Sequence, residues 1–508
     1  MTEAKPVRYA VLAALILIYI LLRFWGLTSS CLWFDEVFSI HAADLGWDTI
    51  LNFVAQDLIH PPFFYILLKV WLTIGGDSLF WARLFPVVFS VLALVPFFLI
   101  CGQLKLKFTT VALSLFIFGV NGSLIKYSQE VRMYAPLLCF SLFSIWLFTR
   151  FFRSGKGIIA LAIVNGVMVY THYFGWLVVC SEVAVVAWLN RAYLKKIILM
   201  SAVVFLAFVP WIVLIFKTSP AGEKFAQNIG WMQRPGPITF FQFVLNLIEP
   251  IYFRASSAEY ASNYFVTAVL LGITVIGAIL YFKIPSNDSH DDRTPHMLLT
   301  FFVVPIILAL IASWTLPYSI WGIRHLIIVF VPAILLVAVI VNRAEKFRIY
   351  GLSAFICLAL VAFGIQLSRG NAVYIWCGWE SLASEVEAFH PPQGEPTRIY
   401  VFEDLAAYHV WFSLRYSMAN FEVDKLEGIN GIKEDKAYFL PRGFDRVKKV
   451  DMGELKGEKF WIAFRDTKWD ILASPLSDLT AKGYNVTQQK VFEAGREKAY
   501  LVLIEKSN

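Results

Sequence analysis

The sequence predicts an all-α polytopic membrane protein that carries an additional α/β domain at its C-terminus. The 508-residue chain is 58% hydrophobic, whereas soluble globular proteins are about 45–50% apolar. Apolar runs of membrane-spanning length recur as far as residue 367, and charged residues become frequent only after it. The net charge of +7 is modest, and Lys and Arg in membrane proteins mostly report topology. We therefore expect the lipid bilayer as a partner and no nucleic acid.

About eleven apolar runs are long enough to cross the bilayer, since a spanning helix needs about 20 mostly apolar residues. The runs lie at 9–27, 81–102, 108–126, 134–151, 157–174, 176–190, 195–216, 263–283, 296–315, 320–342 and 348–367. One further apolar stretch, Phe63–Ile74, is shorter, carries Lys69 and ends at Gly75-Gly76. It either spans the membrane or lies along its surface.

The positive-inside rule decides between these two topologies. If Phe63–Ile74 spans, four basic loops fall outside the cell. If it is an interfacial helix, the same loops fall inside together with the N-terminus. The basic residues of these loops are Lys105, Lys107, Arg150, Arg153, Lys156, Arg191, Lys195, Lys196, Arg343, Lys346 and Arg348. We therefore predict an interfacial helix, a cytoplasmic N-terminus, a first external loop at 28–80 with juxtamembrane helices, and a long external loop at 217–262.

The predicted domains are a transmembrane module at 1–367 and an external α/β domain at 368–508. In the tail, residues 399–402, 460–464 and 499–504 read as strands, and residues 405–416 and 475–482 read as helices. The tail has no glycine pattern for binding phosphate and no catalytic-triad spacing. Its own chemistry is therefore not indicated.

The six cysteines show no Cys/His spacing typical of zinc sites. Those within apolar runs read as small buried hydrophobic residues, and these are Cys101, Cys139, Cys180 and Cys357. Cys31 and Cys377 fall outside the predicted membrane spans and could form a pair. We predict no metal site and no cofactor, and a divalent metal stays an open alternative.

An acidic pair, Asp35-Glu36, follows the first apolar run and is framed by Trp33, Phe34 and Phe38. Charges so close to hydrocarbon are costly and persist mainly for a function. A carboxylate at this place could act as general base toward a hydroxyl or an amine. The structural alternative is a helix N-cap or a solvated loop acid.

Two further motifs lie on the predicted external side. His60-Pro61-Pro62 opens the interfacial helix, where prolines suit a helix start and the free N–H groups favour a phosphate. His60 could add a donor, or the segment could be a structural breaker. The turn Tyr127–Tyr134 holds Glu130, Arg132 and Tyr134. Arg132 could bind a phosphate, or the turn could anchor the chain at the membrane surface.

The last motifs are Thr171-His172-Tyr173 and, on a later span, Arg324-His325. An arginine at the start of an apolar run must snorkel, pair or meet a ligand, and a lipid phosphate would suit Arg324. The alternative is again an interface anchor. Weaker candidates in the long loop are Lys217, Lys224, Trp231 and Arg234.

Together these motifs predict a cleft at the outer membrane boundary with acids on one side and cations on the other. A polyprenyl-phosphate sugar fits this pattern. Its lipid tail stays among the helices and its phosphate meets the cations, while an acid deprotonates the acceptor for attack at the anomeric carbon. The leaving phosphate is stabilised by positive charge.

In their order, these motifs resemble the membrane-embedded type C glycosyltransferases (GT-C). The similar groups are the bacterial relatives of dolichyl-phosphate-mannose protein mannosyltransferases, the aminoarabinose lipid A transferases and the rhizobial lipopolysaccharide core transferases. The resemblance covers roughly residues 1–345. It implies an inverting transfer from a polyprenyl-phosphate sugar, with the catalytic acid at Asp35 and Glu36 as its partner. The sugar-binding insertion of protein mannosyltransferases is missing from 217–262, which favours a glycolipid or envelope glycan over a protein as acceptor.

We therefore predict a hexosyl- or pentosyltransferase of the cytoplasmic (inner) membrane, with its active site and C-terminal domain on the external, periplasmic side. The predicted catalytic residues are Asp35 and Glu36. The predicted substrate-binding residues are His60, Glu130, Arg132, Tyr134, His172, Tyr173, Arg324 and His325. The alternatives are a transporter or flippase of a lipid-linked substrate, which calls for acids near mid-membrane and broken helices in paired halves, and a non-catalytic subunit of envelope assembly.

Overall fold

A computed structural model describes residues 5–218, 232–251, 264–283, 293–343, 345–368, 374–389, 396–417, 420–427, 440–442, 444–466, 476–494 and 497–506. The chain divides into two compact units. The helical unit is Met1–Leu27 with Ile50–Gly370, and the C-terminal unit is Thr28–Thr49 with Asn371–Asn508. The predicted first external loop, 28–80, is therefore divided between the two units.

The helices of the helical unit are α1 (Lys5–Phe24), α3 (Ile50–Asp57), α4 (Phe63–Gly75), α5 (Leu79–Leu92), α6 (Leu94–Gln103), α7 (Phe108–Val120), α8 (Gly122–Tyr127), α9 (Tyr134–Ser154), α10 (Ile158–Thr171), α11 (Gly175–Leu189), α12 (Leu194–Thr218), α13 (Pro237–Asn246), α14 (Tyr264–Lys283), α15 (Arg293–Thr315), α16 (Phe330–Arg343) and α17 (Glu345–Ser368). Helix α2 (Phe34–Asp44) belongs to the C-terminal unit.

Within the described residues, six helical segments are long and apolar enough to cross a membrane. They are Lys5–Phe24, Leu79–Gln103, Tyr134–Ser154, Arg191–Thr218, Arg293–Thr315 and Ile349–Ser368. Each coincides with a predicted run, so the chain is a multi-pass membrane protein. The other five predicted runs overlap apolar helical stretches of 10–17 described residues, and a count of eleven spans is not confirmed.

One predicted span, 108–126, is broken at Asn121. Helix α7 ends at Val120, and the Asn121 side chain caps α8 by accepting the Leu124 N–H at 3.0 Å. The backbone freed by the break is paired, because Gly122 N–H donates to the Glu249 carbonyl at 2.9 Å. Broken helices persist at membrane depth only where neighbouring groups satisfy the backbone in this way.

Two polar side chains pair with the last carbonyls of α7 and of α1. Arg23 of α1 is fully buried and donates to the carbonyls of Phe118 (3.0 Å) and Gly119 at the end of α7. Gln129 donates to the carbonyls of Arg23 (2.9 Å) and Trp25 (2.8 Å) at the end of α1. The last carbonyls of a helix lack partners within the helix. By donating to the last carbonyls of α1, Gln129 holds the turn that follows α8 against that helix.

The C-terminal unit contains a six-stranded mixed sheet of order β3-β2-β1-β4-β6-β5. The strands are β1 (Thr397–Val401), β2 (Phe421–Glu427), β3 (Lys448–Asp451), β4 (Lys459–Asp466), β5 (Tyr484–Ala494) and β6 (Glu497–Lys506), and the helices are α2, α18 (Ile375–Ala388), α19 (Asp404–Ser413) and α20 (Leu476–Ala481). Strands β1 to β4 run parallel in the sheet, and β6 pairs antiparallel with β4 and β5. The elements predicted at 399–402, 405–416, 460–464, 475–482 and 499–504 are all present.

Strands β2, β3 and β5 and helix α18 were not predicted. Strand β3 is only four residues long and has three charged residues, so it lacks an apolar pattern. Strand β5 alternates regularly between more and less exposed positions, but its sequence Tyr-Asn-Val-Thr-Gln-Gln-Lys-Val-Phe is mostly polar.

The cysteines fall into three groups. Cys31 and Cys377 form a disulfide within the C-terminal unit, with their Cα atoms 5.2 Å apart. Cys101 and Cys139 are buried as predicted, whereas Cys180 is exposed, as is Cys357. The prediction was wrong for the last two because a uniformly apolar helix does not reveal which of its faces is packed.

Candidate active site

Three histidines from distant segments of the helical unit lie together. The ring of His172 is 5.2 Å from that of His60 and 5.6 Å from that of His325, measured between centroids. The ring of Tyr134 is 6.3 Å from His172 and 6.4 Å from His325. Arg132 reaches His60, with 3.4 Å between its Nη2 and the His60 Nδ1. We call His60, Arg132, Tyr134, His172 and His325 the histidine cluster.

Local backbone features place these side chains. His172 ends α10 with extended backbone angles, which turns the chain toward α11. Two residues before His60, Leu58 has a φ of 67°, a left-handed conformation that costs free energy for a bulky residue and that persists only where the surrounding structure holds it. Gly322 leaves room for His325, because a Cβ at Gly322 would lie 2.9 Å from the His325 Nδ1.

Hydrogen bonds determine which nitrogen carries the proton in two of the neutral rings. The Phe174 N–H donates to His172 Nδ1 at 3.0 Å, so the ring proton of His172 is on Nε2. A guanidinium can only donate, so His60 Nδ1 accepts from Arg132 and its ring proton is also on Nε2. Both Nε2 atoms are buried and have no hydrogen-bond partner among the described residues. The site therefore presents two buried N–H donors.

His325 has the opposite arrangement. Its Nδ1 lies 3.2 Å from the carbonyl oxygen of Ile320. A carbonyl can only accept, so the ring proton of neutral His325 is on Nδ1 and its Nε2 carries a lone pair. When all three rings are neutral, they provide two donors and one acceptor on their Nε2 atoms.

The electrostatic environment keeps the two donor histidines neutral. Burial is the main reason that the pKa of His60 is well below its usual value, and the charge of Arg132 adds to this effect. The pKa of His172 is lowered in the same way by burial, by His325 and by the charges of Arg132 and Arg324. A buried site with two arginines and two N–H donors suits an anion that has several acceptor oxygens.

The remaining predicted binding residues, Glu130, Tyr173 and Arg324, are sequence neighbours of members of the cluster. Glu130 is buried in the same turn as Arg132. The Tyr173 hydroxyl accepts from Trp211 Nε1 at 3.1 Å, and burial is the main cause of its raised pKa. The charge of Asp57 also raises that pKa. Sequence analysis did not single out Asp57, although it lies three residues before His60.

The predicted catalytic acids lie at the start of α2 in the C-terminal unit. Glu36 is fully buried, and its Oε2 accepts the Trp33 N–H at 3.2 Å. Glu36 therefore caps the helix from its third position, as part of a capping box in which Trp33 is the N-cap residue. This role differs from the N-cap or solvated loop acid that was weighed as the structural alternative. Asp35 is half-buried. The structure thus unites His60, Arg132, Tyr134 and His172 with His325, and it assigns the two acids to the other unit.

Two of the weaker candidates lie within the described residues, and two lie outside them. Arg234 lies 5.7 Å from the Trp314 ring and donates to the Leu316 carbonyl at 3.3 Å, as an interface anchor does. Lys217 is exposed at the end of α12. Lys224 and Trp231 lie outside the described residues. Within the described part of the chain, no group of three or more His, Cys, Asp or Glu side chains is arranged to hold a metal ion.

No protein-family model matches the chain, and no curated protein matches it in sequence. Among solved structures, the chain is similar to ArnT from Cupriavidus metallidurans in the apo state, with a TM-score of 0.59, 12% identity and 98% of each chain covered. The same protein bound to undecaprenyl phosphate gives a TM-score of 0.57 at 11% identity, again with 98% of each chain covered.

A more distant likeness is to the archaeal oligosaccharyltransferase AglB from Archaeoglobus fulgidus in complex with an inhibitory peptide and a dolichol-phosphate. Its TM-score is 0.49 at 11% identity, with 81% of this chain covered. The chain spans only 64% of the length of that relative. The similarity to ArnT extends over both units of the chain, and the predicted resemblance is confirmed at the level of the fold. The chain has the fold of the type C glycosyltransferases.

Proposed function

We propose that this protein is an integral membrane glycosyltransferase that uses a polyprenyl-phosphate sugar as donor. The observation that carries the proposal is the histidine cluster, where two buried N–H donors that have no partner in the described part of the chain lie beside Arg132. The proposal is supported by the fold, since a similar structure, ArnT, is described as bound to undecaprenyl phosphate. A lipid phosphate supplies the several acceptor oxygens that such a cluster requires.

The histidine cluster would act on the leaving group. Nε2–H of His60 and Nε2–H of His172 donate to phosphate oxygens, and Arg132 and Arg324 balance the charge. As the bond between the anomeric carbon and the phosphate oxygen breaks, negative charge grows on that oxygen. Donors aimed in advance at developing charge are the main source of catalysis in such sites.

Asp35 would act on the acceptor. Its carboxylate takes the proton of an acceptor hydroxyl or amine, and the acceptor atom attacks the anomeric carbon on the face opposite the phosphate. One carbon–oxygen bond breaks as the new glycosidic bond forms, and the configuration inverts. Glu36, through the cap on Trp33 N–H, would hold the first turn of α2 for this step.

We place the reaction on the external face of the cytoplasmic membrane. The Cys31–Cys377 disulfide supports this orientation, because disulfides persist mainly in oxidising compartments such as the periplasm. The charge distribution of the predicted loops points the same way. A glycolipid or envelope glycan is the favoured acceptor, and the transferred sugar is a hexose or a pentose.

The test is a transfer assay with the purified full chain in lipid nanodiscs. A panel of radiolabelled polyprenyl-phosphate sugars is offered together with extracted envelope glycolipids and glycans. The proposal expects label transfer by the wild type and by Asp44→Asn, a matched control at the exposed end of α2, and loss of transfer in Asp35→Asn.

Two results would contradict the proposal. Transfer from no donor of the panel, combined with movement of a lipid-linked substrate across liposome membranes, would favour a transporter. A wild type without either activity, whose deletion phenotype is fully complemented by Asp35→Asn, would favour a non-catalytic assembly subunit.

A further inference from the structure

We propose that the C-terminal unit holds helix α2 in a fixed position and rotation, and that it thereby positions Asp35 through contacts made by α18 and α19. This inference rests on the proposed function, in which Asp35 is the base. Residues Thr28–Thr49 fold into one compact unit with Asn371–Asn508 although more than 300 residues separate them in sequence. The segment that carries the acidic pair is therefore built into the C-terminal unit.

The start of α2 is held by three consecutive residues. Cys31 is covalently linked to Cys377 in α18. The Leu32 carbonyl accepts from His409 Nε2 of α19 at 3.1 Å. The Trp33 N–H donates to the Glu36 carboxylate at 3.2 Å. Asp35 follows directly, so little backbone freedom remains between the anchors and this carboxylate.

A second set of contacts fixes the rotation of α2. The Tyr408 hydroxyl lies 2.7 Å from His41 Nδ1, and its ring is 5.6 Å from the Phe34 ring. Phe34 and His41 are seven residues apart, so they lie on the same face of the helix. The ring of Trp376 also lies 6.4 Å from Phe34. A helix held at two turns of one face cannot rotate its first turn without breaking these contacts.

The sheet itself offers a rival role, since ligands of such α/β sheets bind at the carboxyl ends of the parallel strands. In this unit that edge is filled by ion pairs, with Arg465 Nε 2.8 Å from Glu403 Oε1 and Lys425 Nζ 2.6 Å from Asp404 Oδ1. Asp404 also lies in the first turn of α19, where a carboxylate opposes phosphate binding. These contacts favour a role in positioning α2 over a ligand-binding site at the carboxyl ends of the strands.

The experiment compares anchor variants with matched controls in the full chain. The variants are Cys31→Ala with Cys377→Ala, His409→Ala, and the milder Tyr408→Phe. The controls are Cys180→Ala, which removes an exposed free thiol, and Tyr416→Phe, which alters an exposed tyrosine of the same unit. Transfer kinetics, affinity for undecaprenyl phosphate, and hydrogen exchange of residues 32–44 are measured for each.

For the double cysteine variant we expect kcat to fall by about a hundredfold, since small misplacements of a reacting group have effects of this size. The donor KM and the affinity for undecaprenyl phosphate should stay unchanged, and residues 32–44 should exchange faster. His409→Gln, which keeps an N–H donor, should recover more kcat than His409→Ala.

The inference is overturned if hydrogen exchange of residues 32–44 and kcat both match the wild type in the cysteine and Tyr408→Phe variants. It is also overturned if the variants lose donor affinity in parallel with kcat, which would indicate general damage. If the wild type transfers no sugar, the proposed function fails. Even then, unchanged hydrogen exchange in the variants would refute the proposal that the C-terminal unit holds α2. Faster exchange would support the structural part of that proposal, namely that α18 and α19 fix the start of α2.

Discussion

Two pairs of buried histidines, one in each unit, differ in what their ring nitrogens contact. In the helical unit, His60 and His172 each keep an Nε2–H without a partner among the described residues. In the C-terminal unit, His409 Nε2 bonds to the Leu32 carbonyl, and His41 Nδ1 bonds to the Tyr408 hydroxyl. Burial lowers the pKa in both pairs, to about 4 for His41 and His409. The direction of the pKa shift therefore does not separate the proposed binding histidines from the structural ones. The position of the ring proton does, because the nitrogen without a partner among the described residues is an N–H donor in His60 and His172 but a lone pair, on Nδ1, in His409.

The two acids of α2 also have different proposed roles, and their substitution should produce the largest effect. Asp35→Asn removes the proposed base, and we expect kcat to fall by about 10²- to 10⁴-fold. Glu36→Gln keeps an oxygen that accepts the Trp33 N–H, so its kcat should stay within about tenfold of the wild type. Steady-state transfer kinetics measure both. Equal losses in the two variants would show that the acids act as one catalytic pair.

The next effect concerns the cation beside each histidine pair. Arg132→Gln should weaken binding of undecaprenyl phosphate by about 10- to 100-fold, because hydrogen bonds to charged groups contribute about 1.5–3 kcal/mol. Arg415, whose charge acts on His41, provides the matched control, and Arg415→Gln should leave the affinity unchanged. Titration of detergent-solubilised protein with the lipid phosphate gives both values. Comparable affinity in Arg132→Gln and the wild type would remove this arginine from the anion site.

The last effect concerns stability rather than activity, and it is a pH dependence of the C-terminal unit. An unfolded histidine has a pKa near 6.5, whereas those of folded His41 and His409 are about 4. Between pH 6.5 and 4 the unfolded state therefore binds more protons, and stability falls as the pH is lowered. By pH 5 each histidine should cost on the order of 2 kcal/mol.

Hydrogen exchange in β1 and α19, corrected for intrinsic rates, should accordingly accelerate from pH 7 to pH 5. The double variant His41→Asn with His409→Asn should lose most of this pH dependence even if it is less stable at pH 7. A wild-type unit equally protected at both pH values would show that these rings are not buried in neutral form.

Much of the architecture follows from local sequence, while the tertiary contacts do not. Six spans and the predicted strands appear where hydrophobic runs place them. The break at Asn121 was missed because its backbone partners lie in the distant segment around Glu249. The membership of α2 in the C-terminal unit was missed for the same reason, since its anchors are more than 300 residues away.

The candidate residues were selected motif by motif, and the internal organisation of the histidine cluster was not predicted. His60, Arg132, His172 and His325 were each selected as single candidates from residue type and position. Their ring tautomers depend on the Phe174 N–H and the Ile320 carbonyl, which no local pattern identifies. Glu36 was predicted to be a partner of the catalytic base. Its carboxylate instead accepts the Trp33 N–H at the start of α2, a contact that the predicted motif did not reveal.

The central claim is that the histidine cluster binds a lipid phosphate, and native mass spectrometry of undecaprenyl phosphate binding tests it most directly. The double variant His60→Asn with His172→Asn keeps an acceptor near each Nδ1 but removes both Nε2–H donors. We expect one lipid phosphate bound to the wild type and an affinity lower by about 10- to 100-fold in the variant. Equal binding by the two proteins, or binding by neither, would contradict the account.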